Sequence, residues 1–200
     1  MTATPDNGVA HGSLGLVRSG GAPSQGGADA AIVPSAVMDR VRRWSLEPER
    51  GPIEARLVHK THLDNVLLSR LERAVTDRGD GHLAQMRVDV THPFFFEHPI
   101  DHVPGLMLIE AGRQLATAIA HVELRVPFGA AFVLNGLNAQ FLSFAELDAP
   151  TFIHSTILQT RMKRDQLVEM YTSSTFIQDE TPIGVISGQL TVLSGVHALR

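Results

Sequence analysis

The chain has 200 residues, of which 44% are hydrophobic, and its formal net charge at pH 7 is −4. This length suits one ordinary domain, and the slight acidity leaves no basic surplus to neutralise nucleic-acid phosphates. Because cysteine is absent, disulfides, thiolate metal sites and cysteine nucleophiles are excluded. No stretch approaches the roughly 20 apolar residues of a membrane span, and the N-terminus lacks the pattern of a secretory signal. We therefore expect a soluble, cytoplasmic protein.

Residues 1–35 are rich in glycine, alanine, serine and proline, and they carry too little apolar surface to offset the entropy lost on ordering. We expect a disordered tail there. Residues 36–51 are predicted to be a short helical extension, with the helix itself over 34–47, because apolar residues recur on one face. The residues of that face are Val37, Met38, Val41 and Trp44. The remaining segment, 52–196, is the predicted folded domain.

The folded domain begins with two short apolar runs, at 56–59 and 65–68, of which the first is predicted to be a β-strand. A turn is predicted over 76–81, and alternation of apolar and polar residues predicts a strand over 82–90. From residue 106 to residue 122 the chain is apolar nearly all round. That pattern predicts a helix that is buried on most of its faces.

Strand-like runs separated by short polar turns follow the helix, as antiparallel hairpins require. The runs span 131–144, 151–162, 167–177 and 183–193. One apolar helix combined with an antiparallel sheet is an α+β architecture, in which the sheet must curl around the helix to bury all its faces. The sequence therefore predicts a single hotdog fold, a curled antiparallel sheet wrapped around one long central helix.

One face of this helix is polar although the rest is apolar. The residues that share it by their spacing are Glu110, Arg113, Gln114, Thr117 and His121. One interpretation is a buried structural ion pair between Glu110 and Arg113. The other is a catalytic site, in which Glu110 is a general acid or base and Arg113 holds an anionic or carbonyl oxygen. Gln114 would then orient Glu110 or the substrate, and His121 is expected to be a satisfied core or helix-end histidine.

The loop before the helix supplies further candidates. His98 is a candidate catalytic residue, and His102 lies four residues later, but the intervening proline argues against a helical metal pair and no metal site is predicted. Backbone N–H groups at Gly105 suit an oxyanion hole for a thioester carbonyl, although a simple helix start fits equally well. Phe95 belongs either to the core or to an acyl-binding wall. The predicted substrate-binding residues are Gln114, Gly105, His102 and Phe95.

Several short motifs within residues 56–127 resemble the A-factor biosynthesis hotdog family, whose members include γ-butyrolactone autoinducer synthases. The motifs are Val58-His59-Lys60, Asn65-Val66-Leu67-Leu68, His92-Pro93-Phe94-Phe95, Asp101-His102-Val103-Pro104-Gly105, Glu110-Ala111-Gly112-Arg113-Gln114, Ala120-His121 and Val126-Pro127. A more distant resemblance is to β-hydroxyacyl thioester dehydratases, where a loop histidine and a helix glutamate form the acid and base. Family members described as autoinducer synthases resemble two fused hotdog repeats, whereas this chain has the length of one.

The family resemblance implies transfer of a β-ketoacyl group from a thioester of acyl carrier protein or coenzyme A, with no further cofactor. The implied acceptor is a three-carbon phosphate such as dihydroxyacetone phosphate, whose hydroxyl Glu110 would deprotonate while Arg113 binds phosphate or the developing oxyanion. Alternatives are β-hydroxyacyl thioester dehydration by Glu110 and His98, thioester hydrolysis, or a non-catalytic acyl-binding or dimerisation module. We expect a homodimer, because a lone curled sheet leaves an unpaired strand edge and a half-open site.

Overall fold

The computed structural model describes residues 32–76 and 79–193, which form one curled sheet with helices on both faces. Almost all of the tail predicted over 1–35 therefore lies outside the described residues, as do residues 194–196 of the predicted domain. The helices are α1 (Ser35–Ser45), α2 (Gly105–Val122) and two 3₁₀ helices at Ala55–Val58 and Leu63–Asn65. The strands are β1 (Leu68–Thr76), β2 (Gly79–Met86), β3 (Ala131–Phe141), β4 (Phe152–Lys163), β5 (Gln166–Gln178) and β6 (Thr181–Leu193).

The strands of the described residues form one antiparallel sheet in the order β1-β2-β4-β5-β6-β3, and α2 contacts every one of them. Because strands surround α2, its residues Ala118 and Ile119 are entirely buried. The helix begins after Pro104, whose carbonyl oxygen accepts the N–H groups of Met107 and Leu108. This architecture confirms the predicted α+β hotdog fold. Across the described ranges, no helix is both long and apolar enough to cross a membrane.

Helix α1 covers the opposite face of the sheet from α2 and corresponds to the helix predicted over 34–47. Consecutive strand residues point to opposite faces, and the neighbours Phe152 and Ile153 belong to two separate apolar clusters. Ile153 packs in the cluster around α2. Phe152 packs in the cluster of α1, together with Val41 and Trp44. The middle strands are therefore buried on both faces beneath α1, and their burial does not alternate there.

The strand predicted over 56–59 is wrong, because this segment folds as the 3₁₀ helix Ala55–Val58. Its backbone hydrogen bonds are local, and the last of them runs from the Lys60 N–H to the Ala55 carbonyl oxygen at 2.9 Å. His59 ends this helix with a left-handed backbone, φ 56°, which is uncommon for a residue other than glycine. A chain that turns back on itself in this way has no extended edge to offer a sheet.

The β1–β2 hairpin also differs from its prediction in its bounds. Thr76 pairs with Gly79, so the turn predicted over 76–81 is too wide and β2 begins earlier than expected. The strand predicted over 82–90 ends early as well. Its last residues leave the sheet at a turn in which the Asp89 carboxylate accepts the N–H two residues further on, at 2.9 Å.

Strand β3 forms one edge of the sheet and leaves apolar side chains exposed. Val133, Leu134 and Leu137 are 44%, 46% and 46% exposed, respectively. The strand ends at Phe141, before the predicted end of the run over 131–144. An apolar edge of this kind offers unpaired backbone groups for pairing with another chain.

Candidate active site

A cavity of about 420 Å³ lies between α2, the loop around His92 and strands β3, β5 and β6. The lining residues that carry a charged group, an amide or an imidazole are Lys60, Asn65, His92, Glu110 and Arg113. Apolar lining residues include Leu106, Ile109, Ala116, Leu137, Ile186 and Leu190. A few polar groups converging within apolar walls are typical of a small-molecule site. We therefore take this cavity as the candidate active site.

Glu110 is the centre of the polar end of the cavity. Its carboxylate accepts two hydrogen bonds from the Arg113 guanidinium, through Nε and Nη2, each 2.7 Å long. Lys60 Nζ lies 2.8 Å from Oε1, and Gln114 Nε2 donates to the same oxygen at 3.0 Å. Three neighbours thus hold one carboxylate at the border of an apolar cavity.

The environment of Glu110 fixes its protonation state. Burial alone would raise the pKa of this carboxyl group, because desolvation disfavours the charged form. Hydrogen bonds from Arg113, Lys60 and Gln114 outweigh that effect and lower the pKa to about 2. Glu110 is therefore anionic at neutral pH, which favours the role of base or counter-ion over the role of acid.

Arg113 forms the ion pair with Glu110 that their spacing predicts. Its Nη2 also lies 3.3 Å from the Val58 carbonyl oxygen, and its Nη1 lies 3.5 Å from Thr117 Oγ1. Each nitrogen of the guanidinium thus has a partner within the protein. Arg113 consequently ties the 3₁₀ helix Ala55–Val58 to α2 as well as holding the carboxylate.

Gln114 is entirely buried and does not line the cavity. Besides contacting Glu110, its Oε1 accepts the Leu67 N–H at 2.9 Å and its Nε2 donates to the Asn65 carbonyl oxygen at 2.8 Å. Of the two predicted roles, this placement suits orientation of Glu110 and not contact with substrate. The amide also fixes the segment before β1 against α2.

His92 extends this network to the loop that borders the cavity. Its Nε2 lies 2.9 Å from Asn65 Oδ1, and its Nδ1 accepts the N–H groups of Phe94 and Phe95 at 3.2 and 3.4 Å. These contacts fit a neutral imidazole with its proton on Nε2. They hold the loop in place, and Phe95 lines the cavity as a wall residue.

The polar end of the cavity carries one excess positive charge, because anionic Glu110 faces cationic Lys60 and Arg113. Their side chains are partly open, with exposed fractions of 22%, 26% and 31%, respectively. Within residues 32–76 and 79–193, no group of three or more histidine, aspartate and glutamate side chains could hold a metal ion. The set of charges instead attracts an anionic group on a ligand.

The loop histidines that were candidates for the site lie elsewhere. His98 is exposed and does not line the cavity, whereas His102 borders a second groove and contacts Asp101 at 2.8 Å. Gly105 also borders that second groove, and a Cβ there would lie 2.9 Å from the Phe141 ring. In this single chain, the predicted pairing of Glu110 with His98 is therefore not formed.

Three residues at the polar end were not predicted to belong to the site, namely Lys60, Asn65 and His92. Helical spacing cannot find them, because they come from chain segments far from α2. Each lies in one of the motifs that carry the family resemblance, and that was the available signal. The structure shows that these motifs converge on Glu110.

His121 is the satisfied core histidine that its position predicts. Its Nδ1 donates to the Val126 carbonyl oxygen at 2.7 Å, and its Nε2 lies 2.9 Å from His59 Nε2. Burial, followed by the charges of His121 and Arg113, lowers the pKa of His59. The contact with His121 holds His59, whose backbone is left-handed, in place immediately before the cavity residue Lys60.

The sequence profile of the A-factor biosynthesis hotdog domain matches residues 44–194. The chain belongs to this family. Two relatives of this A-factor-family chain are both named 2-oxo-3-(phosphooxy)propyl 3-oxoalkanoate synthase. The one from Streptomyces virginiae is 32% identical over 145 residues, covering 72% of this chain and 43% of the relative. The one from Streptomyces coelicolor is 34% identical over 110 residues, covering 55% and 31%, so the chain spans less than half the length of either.

The A-factor-family chain is also similar in fold to a solved structure, a mutant thioesterase from Pseudomonas aeruginosa. The TM-score is 0.50 at 17% sequence identity, and the match covers 72% of this chain and 96% of the thioesterase. At this identity the likeness concerns the fold alone, since one fold carries many activities.

Proposed function

We propose that this A-factor-family domain transfers a β-ketoacyl group from a thioester to the hydroxyl of a small phosphorylated acceptor such as dihydroxyacetone phosphate. The supporting observation is a cavity that joins an excess positive charge at Glu110, Lys60 and Arg113 to largely apolar walls. Positive charge suits a phosphate, and apolar walls suit an acyl chain. The names of the two Streptomyces relatives describe such a product, an oxoalkanoate ester bearing a phosphooxypropyl group.

Glu110 is the proposed base for the acceptor hydroxyl. Because it is anionic at neutral pH, it can take up a proton without first losing one. The hydroxyl oxygen forms a bond to the thioester carbonyl carbon, and the carbon–sulfur bond breaks. The hydroxyl proton passes through Glu110 and ends on the departing thiol, so the reaction is a balanced acyl transfer.

The acyl chain is proposed to lie along α2, from Leu106 towards Ala116. These two residues line the cavity and are separated by about 15 Å of rise along the helix. Glycines at two lining positions, Gly112 and Gly188, keep the wall open between them. A Cβ at Gly188 would lie 3.7 Å from the Leu134 side chain, an ordinary van der Waals contact, so a side chain larger than that of alanine at this position would take up space in the cavity.

The proposed acyl donor is a thioester of acyl carrier protein or coenzyme A. Group transfer involves no net oxidation, so the proposal requires no further cofactor. Phe94 and Leu106, which line the cavity, have exposed apolar side chains that suit the entry of an acyl chain. Since both donors are cytoplasmic, we place the protein there.

We further propose that the domain is a homodimer paired through β3. Leu134 and Leu137 of this exposed edge also line the cavity, so a second copy would both cover the edge and complete the wall. Light scattering at micromolar concentration should report twice the chain mass of 21.7 kDa. A sample that contains only monomer would contradict this arrangement.

Product analysis tests the proposed reaction. Purified protein is incubated with β-ketoacyl and β-hydroxyacyl thioesters, with and without dihydroxyacetone phosphate, and the products are identified by mass spectrometry. An ester that forms only with the acceptor supports the proposal. Free acid without acceptor indicates a thioesterase, loss of water from the β-hydroxyacyl donor indicates a dehydratase, and no product from any donor indicates a non-catalytic module.

A further inference from the structure

Lys60 reaches the Glu110 carboxylate from outside α2. It follows His59 at the end of the 3₁₀ helix, it lines the cavity, and its Nζ lies 2.8 Å from Glu110 Oε1. Among the described residues, its ammonium group has no further hydrogen-bond or ion-pair partner. An ammonium group has three donors, so two remain for a ligand in the cavity.

Arg113 is held much more firmly than Lys60. Two of its nitrogens bind the Glu110 carboxylate, and the guanidinium also contacts the Val58 carbonyl oxygen and the Thr117 hydroxyl. A planar guanidinium engaged in this way cannot turn to a new ligand without breaking several contacts at once. A lysine carries a compact charge on a flexible stem, and it can change partner by rotating that stem.

We infer that Lys60 binds the phosphate of the acceptor by exchanging its contact with Glu110 for the phosphate oxygens, while Arg113 stays as the fixed partner of Glu110. The inference rests on the proposed function and identifies the residue that selects a phosphorylated acceptor. It also divides the two cations by role. Lys60 recognises the substrate, and Arg113 positions the base.

The exchange couples acceptor binding to the strength of the base. Lys60 is one of the three donors whose hydrogen bonds lower the pKa of Glu110, so its departure raises that pKa and makes the carboxylate a stronger base. An acceptor that carries phosphate therefore activates Glu110 when it binds. When an acceptor without phosphate binds, Lys60 keeps its contact with Glu110, so the carboxylate remains the weaker base.

Replacing Lys60 with methionine keeps a long, unbranched side chain and removes the charge. With dihydroxyacetone phosphate, Lys60→Met should raise the KM of the acceptor roughly 10- to 100-fold, the range expected for one charge-assisted hydrogen bond. With dihydroxyacetone, KM should stay nearly constant and kcat should rise, because Glu110 is no longer held by the ammonium group. Lys60→Arg should restore most of the preference for the phosphorylated acceptor.

The matched control is Lys163→Met, because the sequence contains only these two lysines. Lys163 is exposed at the end of β4 and does not line the cavity. Its replacement should therefore leave kcat and KM unchanged for both acceptors. The inference is overturned if Lys60→Met leaves the ratio of kcat/KM for the two acceptors unchanged. That outcome includes the case in which kcat/KM falls by the same factor for both acceptors.

Binding can be measured without turnover. Labelling with ¹³C-lysine leaves both lysine side chains chemically unchanged, and their two Cε signals are followed by NMR during titration with glycerol 3-phosphate or glycerol. The Lys60 signal should move only with glycerol 3-phosphate, and the Lys163 signal with neither. If the Lys60 signal is unmoved in a protein that forms ester, the inference fails and the proposed function stands. If it moves but no donor yields ester, the proposed function fails and the anion site stands.

Discussion

The half-buried Glu110 and the buried pair His82 and His154 have lowered pKa values for opposite reasons. Glu110 sits among three donors, and their hydrogen bonds lower its pKa to about 2 against the effect of burial. His82 on β2 and His154 on β4 are buried, and here burial itself lowers the pKa, to about 4 for His154. Among the described residues, both ring nitrogens of His82 and the Nε2 of His154 lack a hydrogen bond.

The comparison shows that a shifted pKa alone does not mark a functional site. Glu110 lines a cavity with partners that keep it charged, whereas neither His82 nor His154 lines that cavity. For His82, burial outweighs the Glu123 carboxylate 3.6 Å from its Nε2, and for His154 burial acts on a ring whose Nε2 has no hydrogen bond among the described residues, so in both residues the neutral imidazole is favoured. Partners and an accessible cavity, taken together, make Glu110 the candidate functional group. The two groups should therefore respond differently to substitution and to acid.

The buried amide of Gln114 should give the largest loss of stability. Gln114→Leu leaves the Leu67 N–H and the Asn65 carbonyl oxygen unpaired, which should cost about 2 to 4 kcal/mol in the free energy of unfolding. Urea denaturation measures the loss. Gln85→Leu is the matched control, because Gln85 is buried and its Oε1 has no partner among the described residues, so its loss should stay below about 1 kcal/mol. Equal losses in the two variants would contradict the stabilising role of the hydrogen bonds that Gln114 forms.

Acid should affect the two groups in different pH ranges. The pKa of His154 is about 4 in the folded protein and 6.5 in the reference state, so the unfolded chain binds the proton first as pH falls. The contribution of His154 to the free energy of unfolding is complete above pH 6.5, and it should have fallen by about 2 kcal/mol at pH 5. His154→Gln should flatten that part of the curve of stability against pH. A curve that keeps the same slope would show that His154 is not the group responsible.

Glu110 should contribute only at lower pH. Its pKa is about 2 when folded against 4.5 in the reference state, so its contribution is complete above pH 4.5 and is lost as pH falls towards 2. Glu110→Gln should therefore leave the slope between pH 6.5 and pH 5 unchanged, in contrast to His154→Gln. A changed slope in that range would mean that the two groups are coupled.

The smallest effect should come from His98. Because it is exposed and away from the cavity, His98→Ala should change turnover by less than about twofold. His92→Ala is the contrasting variant, since His92 lines the cavity and holds the N–H groups of Phe94 and Phe95. Turnover of both variants, measured by steady-state kinetics, tests this expectation. A large loss in His98→Ala would favour the dehydratase alternative, in which a loop histidine shares the chemistry.

The site residues on α2 could be predicted because helical periodicity is a local property. Glu110, Arg113 and Gln114 lie within one and a half turns, so their shared face follows from spacing alone. The hotdog fold followed from similar patterns, since one apolar helix and several strand runs leave few ways to bury the helix. Local patterning was therefore sufficient for the scaffold and for half of the site.

The other half depends on long-range contacts that no local pattern encodes. Lys60 reaches Glu110 because His59 adopts a left-handed backbone, and the run that precedes it looks like a strand in sequence. Gln114 contacts the backbone of Asn65, and His92 contacts the Asn65 side chain. These contacts exist only after three distant segments have packed together.

The most direct test of the account is the rate of ester formation by Glu110→Gln and His154→Gln, measured beside the unchanged protein under identical conditions. Glu110→Gln should lower turnover about 100- to 10,000-fold, the usual contribution of a general base, while the protein remains folded by circular dichroism. His154→Gln should stay within about threefold. Turnover retained by Glu110→Gln, or an equal loss in His154→Gln, would contradict the assignment of the Glu110 cavity as the site of acyl transfer.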